Sequence, residues 1–145
     1  MSKIFTIPVQ PIGMVRNKLG RRNHNQWKDT TSQIIIEPAF QDALYKLDEY
    51  SHIEVIFQLH EMTSSFQTRI HPTGNLDLPL MGAFATRTPN RPSRIALTTC
   101  KLLNIEKNTL TVQDLDAYNN SPVIDIKPVT KCPQKIKTPK WLTKK

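Results

Sequence analysis

Short β-prone runs, each soon cut off by proline, glycine or asparagine, fill most of this chain, and one segment alone keeps a helical period. The clearest run spans residues 52–61. Ile53, Val55, Phe57 and Leu59 point one way, and His52, Glu54, Ile56, Gln58 and His60 the other, as in a strand with one buried face. Similar runs cover residues 12–16, 33–37, 82–86, 95–103, 109–115 and 123–127, with turn compositions at 104–108 and 119–122. The helical segment is 39–47. There Phe40, Ala43, Leu44 and Leu47 recur on one face after Pro38, a residue suited to a first helical turn, and the stripe reads as core. Six or seven strands and one short helix, with no β-α-β alternation, predict a mainly β fold, an antiparallel barrel or a curled sheet.

Residues 80–103 organise the rest. They read strand, basic turn, strand. Pro89 and Pro92 stiffen the turn and remove backbone donors, and Arg87, Arg91 and Arg94 project from it. A stiff loop loses little entropy on binding, and arginine offers a planar fork of donors to carboxylate or phosphate. The turn is either anion-competent or a solvated polar hairpin end.

The net charge of +8 is unevenly spread. Residues 1–28 hold six basic side chains and no acid, residues 130–145 hold six lysines and no acid, and the middle carries a balance of −4. The chain therefore reads as a folded body over 1–129 with a basic Lys/Pro-rich tail over 130–145. Basic arms of this kind suit a polyanion such as RNA or serve as solubilising tails. Trp27, set among basic residues in the 17–28 loop, either stacks on a base or anchors that loop to the body. Residues 63–79 form a long connection of the sort that carries function or motion. No apolar run approaches the ~20 residues of a membrane span, and no signal-peptide core opens the chain, so the default location is cytoplasmic. Cys100 and Cys132 stand alone, which argues against a zinc site or a disulfide framework, and Cys100 reads as inert packing. No glycine-rich phosphate loop, dinucleotide fingerprint or nucleophile triad is present.

Residues 82–98, GAFATRTPNRPSRIALT, resemble the signature of the TsaA-like family, approximately GVFATRSPxRPNPIGLS, whose characterised members are TrmO-type tRNA methyltransferases. Three further segments fit in the same order: IGMVRN at 12–17, LDEYSHIEVIFQLHE at 47–61 and QDLDAYNNSPVIDIKP at 113–128. The resemblance implies a single-sheet antiparallel β-barrel that binds S-adenosyl-L-methionine without a Rossmann fold, as a homodimer with the cofactor near the interface. It implies N6-methylation of threonylcarbamoyladenosine beside the anticodon of tRNA. Carried over by motif, the cofactor contacts fall on Glu61, Met62, Arg87, Leu97, Gln113, Asp114, Leu115 and Asp116. His60 and Asp116 are candidates for taking the proton from the acceptor nitrogen. Arg16, Arg21, Arg22, Arg91 and Arg94 are candidates for RNA contact.

The chain departs from the motif in places. A proline of the signature is Arg94 here, a glycine is Ala96, and a DGTPV segment is replaced by residues 119–123, NNSPV. Arg21, Arg22 and Asn23 stand where many members carry Pro-Arg-Gln, and the lysine tail stands in place of an additional C-terminal domain. Two alternatives remain: a methyltransferase acting on a small molecule or another RNA, and a non-catalytic basic barrel that binds RNA or cofactor. Steep salt dependence of RNA binding without cofactor affinity marks the last.

Overall fold

A computed structural model describes residues 5–132 and 135–143. Lys3, Lys144 and Lys145 of the basic arms lie outside them. The strands are β1 (Gly13–Arg16), β2 (Thr31–Ile36), β3 (His52–Gln58), β4 (Arg69–Ile70), β5 (Met81–Gly82), β6 (Ile95–Glu106), β7 (Thr109–Gln113) and β8 (Pro122–Pro128). Six of them close into an antiparallel barrel in the order β1-β2-β7-β6-β3-β8, while β4 and β5 pair as a small ribbon outside it. No helix among the described residues is long and apolar enough to cross a membrane.

Alternation puts one apolar face of every barrel strand inside. Val15, Ile34, Ile36, Ile53, Val55, Phe57, Cys100, Leu110, Val112 and Val123 are fully buried there. Burial also pushes the Cys100 thiol up to about 12, with the nearby Asp114 charge acting in the same direction. Cys100 is thus inert packing, as its apolar strand predicts.

The barrel closes with the help of one long bent strand. β6 pairs with β3 through residues 95–101 and with β7 through 101–106, and its register slips between Leu102 and Asn104. A bulge of this kind sharpens twist and lets one strand turn a barrel corner. Residues 104–108 are therefore not a turn. The strand runs on to Glu106 and turns at Lys107 and Asn108, and the bulge at Leu103 breaks the alternation that would have revealed it.

Two further expectations are corrected. Residues 39–47 do not form an α-helix. Pro38–Leu44 and Leu47–Glu49 are 3-10 turns, separated where Lys46 takes a left-handed φ of +68°. Phe40, Leu44 and Leu47 still rest half-buried against the core, so the segment lids one barrel end without a continuous helix, and Ala43 stays exposed. Residues 82–86 are not a core strand either. After Met81–Gly82 the chain makes a 3-10 turn at Ala83–Ala85, because the Ala83 N–H donates to Thr68 O at 2.9 Å and Thr86 Oγ1 donates back to Ala83 O at 2.9 Å. Such local bonds compete with a sheet ladder. A four-residue α-helix, α1 (Lys140–Thr143), lies in the basic tail.

Gly13 allows β1 and β2 to approach. A Cβ there would stand 2.3 Å from Ile35 O, and backbone cannot yield to it cheaply. Gly13→Ala is expected to lower stability by about 1–3 kcal/mol, read as a lower urea midpoint; an unchanged midpoint would contradict the close contact.

Candidate functional site

Antiparallel closure sends three long connections, residues 17–30, 59–94 and 114–121, out of one barrel end, and the lid at 37–51 and the turn at 107–108 out of the other. Asparagines stitch two of the long loops together. The Asn17 N–H donates to Asn119 Oδ1 at 3.1 Å, and its side-chain Nδ2 donates to Ser32 Oγ at 3.0 Å and Ala117 O at 2.8 Å. Asn17 Oδ1 accepts the Leu19 N–H at 2.9 Å. Asn120 takes φ +69° and accepts a bond from Arg16, and Asp114 takes φ +67° while its carboxylate accepts the Asp29 N–H at 2.6 Å. Asn and Asp tolerate this left-handed region better than most residues.

Arg21 brings in the third loop. Its Nη2 donates to Glu61 O at 2.6 Å and its Nε lies 3.4 Å from Glu61 Oε2. His60 stands alongside, with Nε2 3.9 Å from Glu61 Oε1 and Nδ1 3.4 Å from Ser121 Oγ. Ser121 Oγ itself donates to Tyr118 O at 2.7 Å, so His60 Nδ1 is the donor in that pair. His24 Nδ1 lies 3.1 Å from Arg21 O. Burial raises the proton affinity of the Asp116 carboxyl, opposed by His24. Tyr118 is likewise raised, first by burial, then by the charges of Glu61 and Asp116, against Arg21. Arg21, His24, Glu61, Asp116 and Tyr118 thus form one interacting charged cluster at the barrel mouth.

A second group occupies the 83–97 region. Arg87 Nη2 donates to Leu97 O at 2.7 Å, and Leu97 is partly exposed on the outer face of β6. Arg91 Nη1 donates to Thr86 O and Thr88 O at 3.1 and 3.2 Å. Arg94 adopts φ +51°, which proline cannot, so the turn departs from the motif in backbone as well as in side chain. One backbone bond ties the start of the 59–94 connection to its end: the Leu59 N–H donates to Arg94 O at 2.8 Å, and nearby Ser64 Oγ donates to Met62 Sδ at 3.2 Å.

The residues singled out by motif therefore all lie on the loops or strand ends of one barrel end. Glu61 and Asp116 share the first group with Arg21 and His60, and Arg87 touches Leu97 in the second. Gln113 ends β7 opposite Thr31 and Lys101, and Arg22 is exposed. Leu115 is fully buried, so only its main chain faces outward chemistry. Tyr118, His24, Ser121 and Asn17 were not singled out in the sequence. Asn17, Tyr118 and Ser121 lie inside the matched segments 12–17 and 113–128 but carried no role from them, and the only signal for His24 was a polar loop at 17–28. A shallow groove of about 710 Å³ lies at the opposite end, over the lid, lined among others by Tyr45, Asp48, Glu49 and Ile105. It gathers none of the residues named as candidates for cofactor, RNA or proton transfer.

The fold and its mouth define a six-stranded antiparallel barrel that builds a charged polar site from loops at one end. Residues 3–132 match the tRNA-methyltransferase O N-terminal domain, and the chain belongs to that family. It is 35% identical over 123 residues to a protein of Archaeoglobus fulgidus named S-adenosyl-L-methionine-binding protein, covering 82% of this chain and 86% of that one. It is 33% identical over 89 residues to the mouse tRNA (adenine(37)-N6)-methyltransferase, covering 61% of this chain and 20% of the relative. Its fold is like the crystal structure of TrmO from P. aeruginosa, with a TM-score of 0.73 and 22% identity over 97% of this chain. The chain spans only 64% of that structure's length.

Two outcomes follow. Asn17→Ala leaves the buried Ser32 hydroxyl and Ala117 O without their donor and should cost about 1–3 kcal/mol in urea unfolding; a loss within error would contradict its stitching role. Asp116 has a raised folded-state pKa, so its contribution to stability is fully present below the ordinary carboxylate value and is lost as pH rises through the raised one. Asp116→Asn removes that titration. Its urea midpoint is expected to gain on the wild type as pH rises above the ordinary carboxylate value; a gap independent of pH would contradict the shift.

Proposed function

We propose that this protein is an S-adenosyl-L-methionine-dependent methyltransferase that acts on tRNA, with N6 of threonylcarbamoyladenosine beside the anticodon as its target. The match of residues 3–132 to the tRNA-methyltransferase O N-terminal domain carries the reading. The names of the archaeal and mouse relatives support the cofactor and the substrate class.

The donor set at the mouth fits this cofactor. An arginine fork suits its carboxylate, carboxylates suit its ammonium and ribose hydroxyls, and apolar side chains suit the adenine face. Arg87 uses one nitrogen on Leu97 O and keeps further donors for a carboxylate. Glu61, the 113–116 main chain and Asp116 supply acceptors, and Met62 and Leu97 supply apolar surface. Burial disfavours the charged form of Asp116, so a neighbouring cation stabilises it. When bound, the cofactor supplies an already activated methyl group on a sulfonium sulfur. The chain's own work is to hold donor and acceptor in line, exclude water and accept the proton released by the acceptor nitrogen. His60 and Asp116 both stand in the mouth cluster for that last task. Single-turnover transfer by His60→Gln and Asp116→Asn, at saturating cofactor, decides between them.

One observation favours a second reading, in which the cofactor is kept but the acceptor is a small molecule or another RNA. The 91–94 turn, with Arg94 at φ +51°, differs from the motif beside the site. Titration calorimetry with S-adenosylmethionine and S-adenosylhomocysteine, followed by transfer of labelled methyl groups to threonine tRNA, tests both readings. Wild-type protein should bind both ligands, Arg87→Ala should weaken binding on the order of tenfold or more, and label should appear in the modified adenosine. Binding without label in tRNA favours the second reading, and no binding by folded protein overturns both.

A further inference from the structure

The long 59–94 connection carries an aromatic surface that no part of the cofactor site uses. Phe84 is the middle residue of the 3-10 turn after β5, and 76% of its surface is open to solvent. Phe66 stacks beside it, with ring centroids 6.3 Å apart and planes 21° from parallel. The Arg91 guanidinium lies 5.8 Å from the centre of the Phe84 ring, a cation–π distance. An apolar ring this exposed has not been placed there by the core, since its neighbour Ala83 is the residue that turns inward and is buried.

The surface is held rigid from below. Asn90 Nδ2 donates to Ser65 O at 2.7 Å, which ties the Phe66 segment to the arginine turn. Arg91 is fixed by its two carbonyl bonds, and the Ala83 N–H is bonded to Thr68 O. Both rings and the guanidinium are thus pre-positioned, and little ordering entropy is left to lose on contact. The electrostatics have one sign. Residues 62–94 contain Arg69, Arg87, Arg91 and Arg94 against the single acid Asp77.

We infer that Phe84, backed by Phe66 and Arg91, is a stacking platform for an unpaired RNA base, with Arg94, three residues along the same turn from Arg91, to meet the adjoining phosphate. Flat, exposed aromatic rings beside arginines suit nucleobases, because every base presents a π-face and every nucleotide a charge. A duplex keeps its bases stacked inside and offers the ring nothing. The inference rests on the tRNA-directed reading for the identity of the RNA, and it deepens that reading by requiring an unstacked nucleotide next to the one modified.

The test uses the full chain, a labelled single-stranded RNA of 12 nucleotides and its 12-base-pair duplex, both lengths being roughly one protein footprint. Affinity is read by anisotropy at two salt concentrations, and light scattering and cofactor calorimetry are run on the same samples. Phe84→Ala is expected to weaken single-strand binding about tenfold, to leave the duplex nearly unchanged and to keep the salt dependence of the wild type. Phe84→Trp should restore the affinity. Arg94→Ala should instead reduce the salt slope by about one. Equal single-strand affinity for wild type and Phe84→Ala overturns the platform. So does a variant that changes only the oligomeric state, which would make the rings a contact between copies of this chain. If wild-type protein binds cofactor but shows no Phe84-dependent RNA binding, the platform alone fails. If the RNA result holds and cofactor binding is absent, the methyltransferase reading alone fails.

Discussion

A closed antiparallel sheet must send successive connections to opposite ends, and in this chain that rule decides where chemistry can be built. Three of the odd-numbered strands end at the same rim, and each is followed by a long loop rich in arginine, histidine, carboxylate or asparagine. The opposite rim receives a lid of 3-10 turns and a two-residue turn. Closure also leaves the barrel strands without free edges, so backbone polar groups are satisfied within the sheet. The loops at the rim are then free to be shaped by side chains. Gly13 makes the close approach of β1 to β2 possible, and Asn17 turns two loops into one body by bonding to four separate partners.

The electrostatics of the mouth follow from that assembly. Glu61 is distant in sequence from Asp116 and Tyr118 but shares one field with them, with Arg21 and His24 countering it. Partial burial of a carboxylate that has only weak compensation leaves the mouth receptive to a cation. The neighbouring 83–97 region carries arginines and no acid, and those arginines suit carboxylate or phosphate. Carboxylates in one group beside arginines in both fit a zwitterionic ligand meeting a polyanion, which is the combination that the proposed reaction needs.

Much of the barrel was legible in the sequence because its strands bury one face each. Alternation at 52–58 and 109–113 maps directly onto inward residues. It failed at Leu103, where a bulge shifts the phase, and at 82–86, where small apolar residues signal tight packing as readily in a 3-10 turn as in a strand. The 39–47 segment kept a helical period without being an α-helix, because its three half-buried side chains need only meet the core, whatever the turn between them. The arginine turn and Glu61 stood out by motif. Tyr118, Ser121 and His24 did not, because the partners that draw them into the cluster (Glu61, His60 and Asp116 respectively) are brought to them only when the barrel closes. Asn119 and Asn120 read as generic turn residues, and the bonds they make to Asn17, Leu19, Val15 and Arg16 are long-range.

The most direct test of the account is a crystal structure with S-adenosylhomocysteine bound. The ligand is predicted at the loop-built rim, with its carboxylate on Arg87 and its polar groups facing Glu61 and the 113–116 main chain. Electron density in the groove over the lid, beside Tyr45 and Glu49, would contradict the claim that the three long loops form the cofactor site.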